Sequence, residues 1–284
     1  MRSRILRSPA IINPIFGLAI LLALLSVACS VPRAPVDPVG PSPGSPSTPA
    51  PVATSSAPDP VAHPAPPVAS GPAVPTVLVG AEWTALPTTE NVVALTFDAG
   101  ADANGVPPIL EILETNGVPA TFFLTGEWTE QYPDLARTIA ERYPVGNHTN
   151  SHPYLTQEPD ERVRSEILNA GDLIASIAGR ETRPLFRFPF GDSDARTIEI
   201  INGLGYGAIR WTVDTVGWRG TSGGESVDSV IARVLDNLRP GAIVLMHVGS
   251  HPEDGSTLDA DALPALIEEL RARGYGFVTI DQFL

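Results

Sequence analysis

From residue 77 to residue 284 the chain predicts an α/β barrel, a parallel sheet wrapped by helices. Three observations carry that prediction. Short apolar runs recur at near-regular intervals, helical periodicity fills the gaps between them, and the side chains capable of chemistry fall where the runs end. Seven such runs suit a closed or nearly closed barrel, and an open doubly wound sheet is the alternative. Either architecture places its chemistry on loops at the C-terminal strand edges.

Residues 1–29 read as an export signal with a lipobox-like end. Arg2, Arg4 and Arg7 form a positive start, Ile15 to Leu25 is apolar, and Ser26, Val27 and Ala28 are the small residues a signal peptidase needs. The apolar run is too short for a membrane span. Cys29, the only cysteine of the chain, follows the cleavage point as in a bacterial lipobox. Localisation is therefore expected at the outer face of the cytoplasmic membrane as a lipoprotein, or secreted into the cell wall. Residues 30–76 are a tether of proline, alanine, serine, glycine and valine that holds fifteen of the 30 prolines and no aromatic residue. Such a segment builds no core, and in polyproline II form it reaches on the order of 100 Å, enough for a stalk.

Residues 77–284 are the one folded domain. Its expected strands are Val92 to Phe97, Ala120 to Leu124, Tyr143 to Val145, Leu185 to Phe188, Tyr206 to Trp211, Ala242 to Met246 and Phe277 to Ile280. Helical spacing is clearest from Asp160 to Ala178, stopped by Gly179, and from Thr257 to Arg273, stopped by Gly274. Charge narrows the function. The basic residues are all arginine, 18 against 32 acids, for a net charge of −14. A surface of that sign repels polyphosphate, so nucleic-acid binding is not expected. One cysteine also excludes a disulfide framework and a thiolate metal cluster, which leaves any metal to histidine and carboxylate.

The reactive side chains test the strand-end rule. Asp98 follows the first run, His148 and His152 the third, Arg187 closes the fourth, Asp214 follows the fifth and His247 the sixth. Two imidazoles four residues apart plus a carboxylate give three protein ligands and leave open positions for water and substrate.

These residues stand in five ordered motifs: Thr96-Phe97-Asp98-Ala99-Gly100, His148-Thr149-Asn150-Ser151-His152, Arg187-Phe188-Pro189-Phe190-Gly191, Asp214-Thr215-Val216-Gly217-Trp218 and Ile243 to His247. In that order they resemble the NodB-homology polysaccharide deacetylases, carbohydrate esterase family 4, over about Val92 to Leu284. The resemblance implies a distorted (β/α)7 barrel and metal-dependent removal of N-acetyl groups from cell-surface glycans such as peptidoglycan or chitin, or of O-acetyl groups from polysaccharide. It implies a divalent metal, Zn2+ foremost with Co2+ or Ni2+ as substitutes, an acetylated glycan as partner, and a monomer. Carried onto this chain, Asp98 is the general base, His148 and His152 are metal ligands and His247 is the general acid. Arg187 orients the base, Phe190 lends its backbone N–H to the oxyanion, and Leu245 and Trp218 wall the acetyl-methyl pocket.

Two positions depart from the pattern. The second aspartate of the first motif, a metal ligand in the family, is Ala99 here, so Asp102 is expected to supply the third ligand, with Asn104 behind it. Gly217 replaces the aspartate that tunes the catalytic histidine, an absence expected to leave the pKa of His247 lower than the family's usual pattern. Asp214 remains, to contact Arg187 or His247. A non-catalytic lipoprotein that binds glycan through the same barrel is the rival reading, and His251 is expected at the rim.

Overall fold

The computed structural model describes residues 74–284, so the expectations for the export signal, Cys29 and nearly all of the tether lie outside the described residues. Nine strands make up the sheet: β1 Glu82–Trp83, β2 Val92–Ala99, β3 Ala120–Leu124, β4 Val145–Asn147, β5 Leu185–Phe186, β6 Gly207–Ile209, β7 Val213–Asp214, β8 Ala242–His247 and β9 Gly276–Phe277. Their order is β1-β6-β5-β4-β3-β2-β8-β7, with β9 also on β2, and each ladder is parallel. Among the described residues no ladder joins β1 to β7, so the sheet is a curled half-barrel rather than a closed one. The segment after β1 spans part of that gap, where Leu86 N–H donates to the carbonyl of Gly241 at 2.8 Å.

The two strands beyond the expected seven are β1 and β7, of two residues each, too short to register as apolar runs. The third run begins its ladder at Val145 because Tyr143 closes the preceding helix, its N–H bonded to the carbonyl of Ile139. Seven helices cover the sheet: α1 Val106–Asn116, α2 Gly126–Gln131, α3 Pro133–Arg142, α4 Asp160–Ala178, α5 Ala195–Gly203, α6 Val227–Asp236 and α7 Leu258–Ala272. Gly179 does stop α4, in the left-handed conformation at φ 68° that glycine adopts without penalty. Asp160 and Glu161 at the other end of α4 complement the positive helix start. Among the described residues no helix is long and apolar enough to cross a membrane.

Strand alternation assigns every side chain of β2 to one of two layers. Val93, Leu95, Phe97 and Ala99 face the helices, in a core that includes Ile109, Leu113, Leu263 and Leu266. Ala94, Thr96 and Asp98 face the barrel interior, where Ala94 meets Phe123 and Ile243. Phe97 stacks on Phe122 with centroids 5.1 Å apart, both rings fully buried. Truncating either to alanine should cost about 3–5 kcal/mol. The same period on β8 puts Ala242, Val244 and Met246 under the helices and turns Leu245 and His247 inward.

Candidate active site

The C-terminal strand ends converge on a cavity of about 510 Å³ lined by Asp98, His148, His152, Phe190, Asp214, Trp218, Leu245 and His247. Asp98 and His247 are ladder partners on β2 and β8, which is why residues far apart in sequence share one mouth. Four non-glycine residues on the strand-end loops hold positive φ: Thr149 at 68°, His152 and Val216 at 61°, and Phe190 at 59°. Each costs about 1–3 kcal/mol, strain that accumulates where side chains must be aimed. At Val216, β-branched and the worst suited, the Asp214 carboxylate accepts the backbone N–H at 2.8 Å and holds the turn.

Arg187 lies beneath the cavity with no exposed surface. Its guanidinium donates to Asp98 Oδ1 at 2.7 Å, Thr96 Oγ1 at 2.9 Å and the carbonyls of Ile209 and Arg210 at 3.2 Å, and it stacks 4.1 Å over the Phe123 ring. Burial opposes ionisation of Asp98, yet Arg187, with His247, overrides it and holds the carboxyl below the usual carboxylate range. An ionised carboxylate in a dry site is the preparation a general base needs.

His148 Nδ1 lies 2.8 Å from the carbonyl of Arg187, which only accepts, so Nδ1 carries the hydrogen and Nε2 the lone pair. That lone pair is 3.4 Å from Asp98 Oδ2, acceptor against acceptor. Burial keeps the His148 ring neutral by lowering its pKa, and burial together with His148 lowers His152 to about 4. Two neutral imidazoles with centroids 4.8 Å apart, one with its free nitrogen facing a carboxylate, are a donor set that suits a divalent cation. Among the described residues no group of three His, Cys, Asp or Glu side chains is arranged around a common point, so the two imidazoles stand as a pair.

Asp102 does not complete that set. Its carboxylate accepts the Asn104 N–H at 2.8 Å, the Ser250 N–H at 3.0 Å and the Ser250 hydroxyl at 2.8 Å, tying the loop after β2 to the loop after β8. Local donors consume the charge that was expected to reach the metal. Asn104 Nδ2 donates to Ser250 Oγ at 2.9 Å, drawing that side chain to the same loop. Ala99 lies on the helix-facing side of β2, opposite Asp98.

The far wall of the cavity holds the second correction. His247 does not lose its carboxylate, because Asp259 in the first turn of α7 supplies one. Asp259, only 3% exposed, accepts the His247 backbone N–H at 2.8 Å and the Thr215 hydroxyl at 2.6 Å, and its Oδ2 lies 3.6 Å from His247 Nδ1. Burial disfavours the charged imidazole, but Asp259, Asp98 and Asp214 outweigh it and raise the pKa above the ordinary 6.5. Asp214 bonds neither Arg187 nor His247; its Oδ2 takes the indole N–H of Trp218 at 3.4 Å, bracing a half-exposed ring over the cavity. Leu245 is buried beside it.

Sequence reasoning missed three residues. Asp259 was hidden because an acid in a first helical turn already has a reason to be there. Glu166, buried on α4, accepts the N–H groups of Asn150 and Ser151 at 2.9 and 2.8 Å and fixes the loop that carries both histidines. Tyr154 stacks on Phe190 with centroids 4.0 Å apart, an exposed pair next to His152. His251 is outside the cavity lining, within 3.5 Å of Asp254 Oδ2.

A curled parallel sheet with a buried carboxylate and an opposed imidazole at its C-terminal mouth defines a barrel hydrolase. Residues 85–209 match the family model described as polysaccharide deacetylase. The peptidoglycan-N-acetylglucosamine deacetylase of Bacillus cereus is 35% identical over 189 residues, 66% of this chain and 66% of its own length. The chitooligosaccharide deacetylase of Azorhizobium caulinodans is 31% identical over 195 residues, 66% of this chain and 91% of its own. Among solved structures, BA3943 of Bacillus anthracis, a family 4 pseudoenzyme, superposes with a TM-score of 0.65 at 29% identity, covering 72% of this chain and 69% of that one. The chain belongs to the NodB-homology polysaccharide deacetylases, carbohydrate esterase family 4.

Proposed function

We propose that this chain is a hydrolase that removes N-acetyl groups from N-acetylglucosamine polymers of the cell surface. The observation that carries the reading is the ionised, Arg187-held Asp98 placed across one cavity from a His247 whose pKa is raised. Asp98 takes a proton from water as the water oxygen attacks the acetyl carbonyl carbon. His247 gives a proton to the nitrogen as the C–N bond breaks, and acetate and a free amine leave. The Phe190 N–H donates to the developing oxyanion, while Leu245 and Trp218 enclose the methyl group. His148 and His152 would hold a divalent ion, zinc foremost, which would supply Lewis acidity at the carbonyl and make water easier to deprotonate. The acetate released from an N-acetylglucosamine oligomer by the metal-loaded chain, measured against Asp98→Asn, tests the reading; no release by the wild type overturns it.

One observation favours a second reading. With Ala99 on the helix side and Asp102 committed to Ser250, the site has two imidazoles and no third carboxylate ligand, which suits a glycan-binding protein without catalysis, and a structural neighbour is a family pseudoenzyme. Glycan binding with no acetate release in the presence of zinc, cobalt or nickel selects it. For location we propose export, with Cys29 lipidated and residues 30–76 as the stalk. Cys29→Ser should move the protein from the membrane fraction to the medium, and unchanged fractionation contradicts the anchor.

A further inference from the structure

We propose that Asp259 is the positioning residue of His247, a carboxylate delivered from α7 into the space that a side chain at position 217 would fill. The inference rests on the reading of His247 as the general acid. Gly217 gives the first indication. A Cβ built there would stand 2.5 Å from Asp259 Oδ1 and 2.8 Å from its Cγ, so the carboxylate occupies its place only because residue 217 has no side chain. No left-handed backbone explains the glycine, since Gly217 is absent from the positive-φ glycines.

The second indication is the company Asp259 keeps. It is nearly fully buried, and its two bonded donors are the Thr215 hydroxyl and the His247 backbone N–H. Among the described residues the His247 ring is the cation within ion-pair distance of it. A buried carboxylate left without a cation is costly, so this pairing is a constraint on both partners. The third indication is on the ring. His247 Nδ1 is buried with no hydrogen-bond partner, and Asp259 Oδ2 at 3.6 Å is the acceptor nearest to forming one. An approach of about half an ångström reaches normal N–H···O distance. That bond holds the hydrogen on Nδ1 and leaves Nε2 as the nitrogen available to the cavity. During turnover the Nε2 proton goes to the leaving amine while the Nδ1 hydrogen stays on the ring, donated to Asp259, so Asp259 starts and ends ionised.

Titratable groups from every wall face His247: the carboxylates of Asp259 on α7, Asp98 on β2 and Asp214 on β7, and the neutral rings of His148 and His152 after β4. Asp259 alone among them also bonds the backbone of the histidine, which joins ring orientation to strand-end geometry.

The test uses the full chain and two readouts. In wild type the 15N signals of the His247 ring should report the Nδ1–H tautomer, and in Asp259→Asn that preference should be lost. Asp259→Asn should also lower kcat for acetate release on the order of 100-fold, with KM changed less than about twofold. Gly217→Asp alone should clash and unfold at lower temperature, whereas Gly217→Asp combined with Asp259→Ala, which moves the carboxylate across the gap, should restore the tautomer and bring kcat to within about tenfold of wild type. Wild-type ring signals and kcat in Asp259→Asn overturn the inference. Should Asp259→Asn not fold, the exchange variant decides, and a folded exchange variant without Nδ1–H overturns the inference as well. A wild type that releases no acetate defeats the deacetylase reading instead, while the ring signals still judge Asp259.

Discussion

The two walls of the cavity are built on opposite plans. On the β2 side, Asp98, Arg187 and His148 are buried, and Arg187 alone makes four hydrogen bonds, two of them to backbone carbonyls. On the β8 side, His247 and Trp218 are partly open to solvent, Trp218 rests on one long hydrogen bond, and His247 Nδ1 has no partner within bonding distance. The difference teaches a division of labour. On the proposed reading, a base must be charged before substrate arrives, so the environment of Asp98 is fixed in advance, whereas His247, as the acid that meets the leaving group, is held more loosely, through its backbone and one carboxylate.

The largest effects should fall on the two groups that face each other. Asp98→Asn and His247→Ala should each lower acetate release about 100- to 10,000-fold without loss of fold, measured by enzymatic acetate assay and circular dichroism. Next comes the asymmetry itself. Arg187→Met strands the Asp98 carboxylate in the interior and should cost about 3–5 kcal/mol in thermal or urea unfolding. Trp218→Ala, half-exposed on the looser wall, should cost far less, and equal costs would break the comparison. His152→Ala should then weaken zinc binding at least about tenfold in a chelator competition, while Asp102→Ala, whose carboxylate serves Ser250, should leave affinity unchanged. The smallest expected effect is a pH dependence. Because the folded pKa of His247 is raised, its charged form contributes stability that is complete below pH 6.5 and disappears as pH rises through the folded value. The stability difference between wild type and His247→Gln should therefore shrink on the alkaline side, and a constant difference from pH 5 to 9 would show that Asp259 does not favour the charged ring.

What was legible in the sequence were the buried, periodic parts. The runs of β2, β3 and β8 announced themselves because burial on both faces demands apolar residues in sequence, and the Asp160 to Ala178 helix because its buried residues repeat at helical spacing. The five motifs located eight of the ten expected site residues on the cavity and Arg187 beneath it. The bonds of Asp102 to Asn104 and Ser250 were not legible, because inside a loop backbone N–H groups compete for any carboxylate within reach. Asp259 was illegible for a related reason: its partner is 12 residues away in the chain and across a loop, and only packing discloses that Gly217 makes room for it. The seam strands β1 and β7 went unseen because two residues are too few for periodicity to count.

The pairing of β2 bears on how the molecule breathes. β2 is laddered to β3, β8 and β9, three neighbours for one strand, and its residues beyond Val92 are all buried. β7 is a two-residue edge laddered to β8 alone, and it leads into the turn that carries Trp218. Amide hydrogens of β2 should then exchange with solvent deuterium only when the whole domain opens, while those from Val213 to Arg219 exchange through brief local openings of far lower free energy. A bulky polymer can therefore enter past a wall that loosens many times for each time the strand bearing the carboxylate lets go.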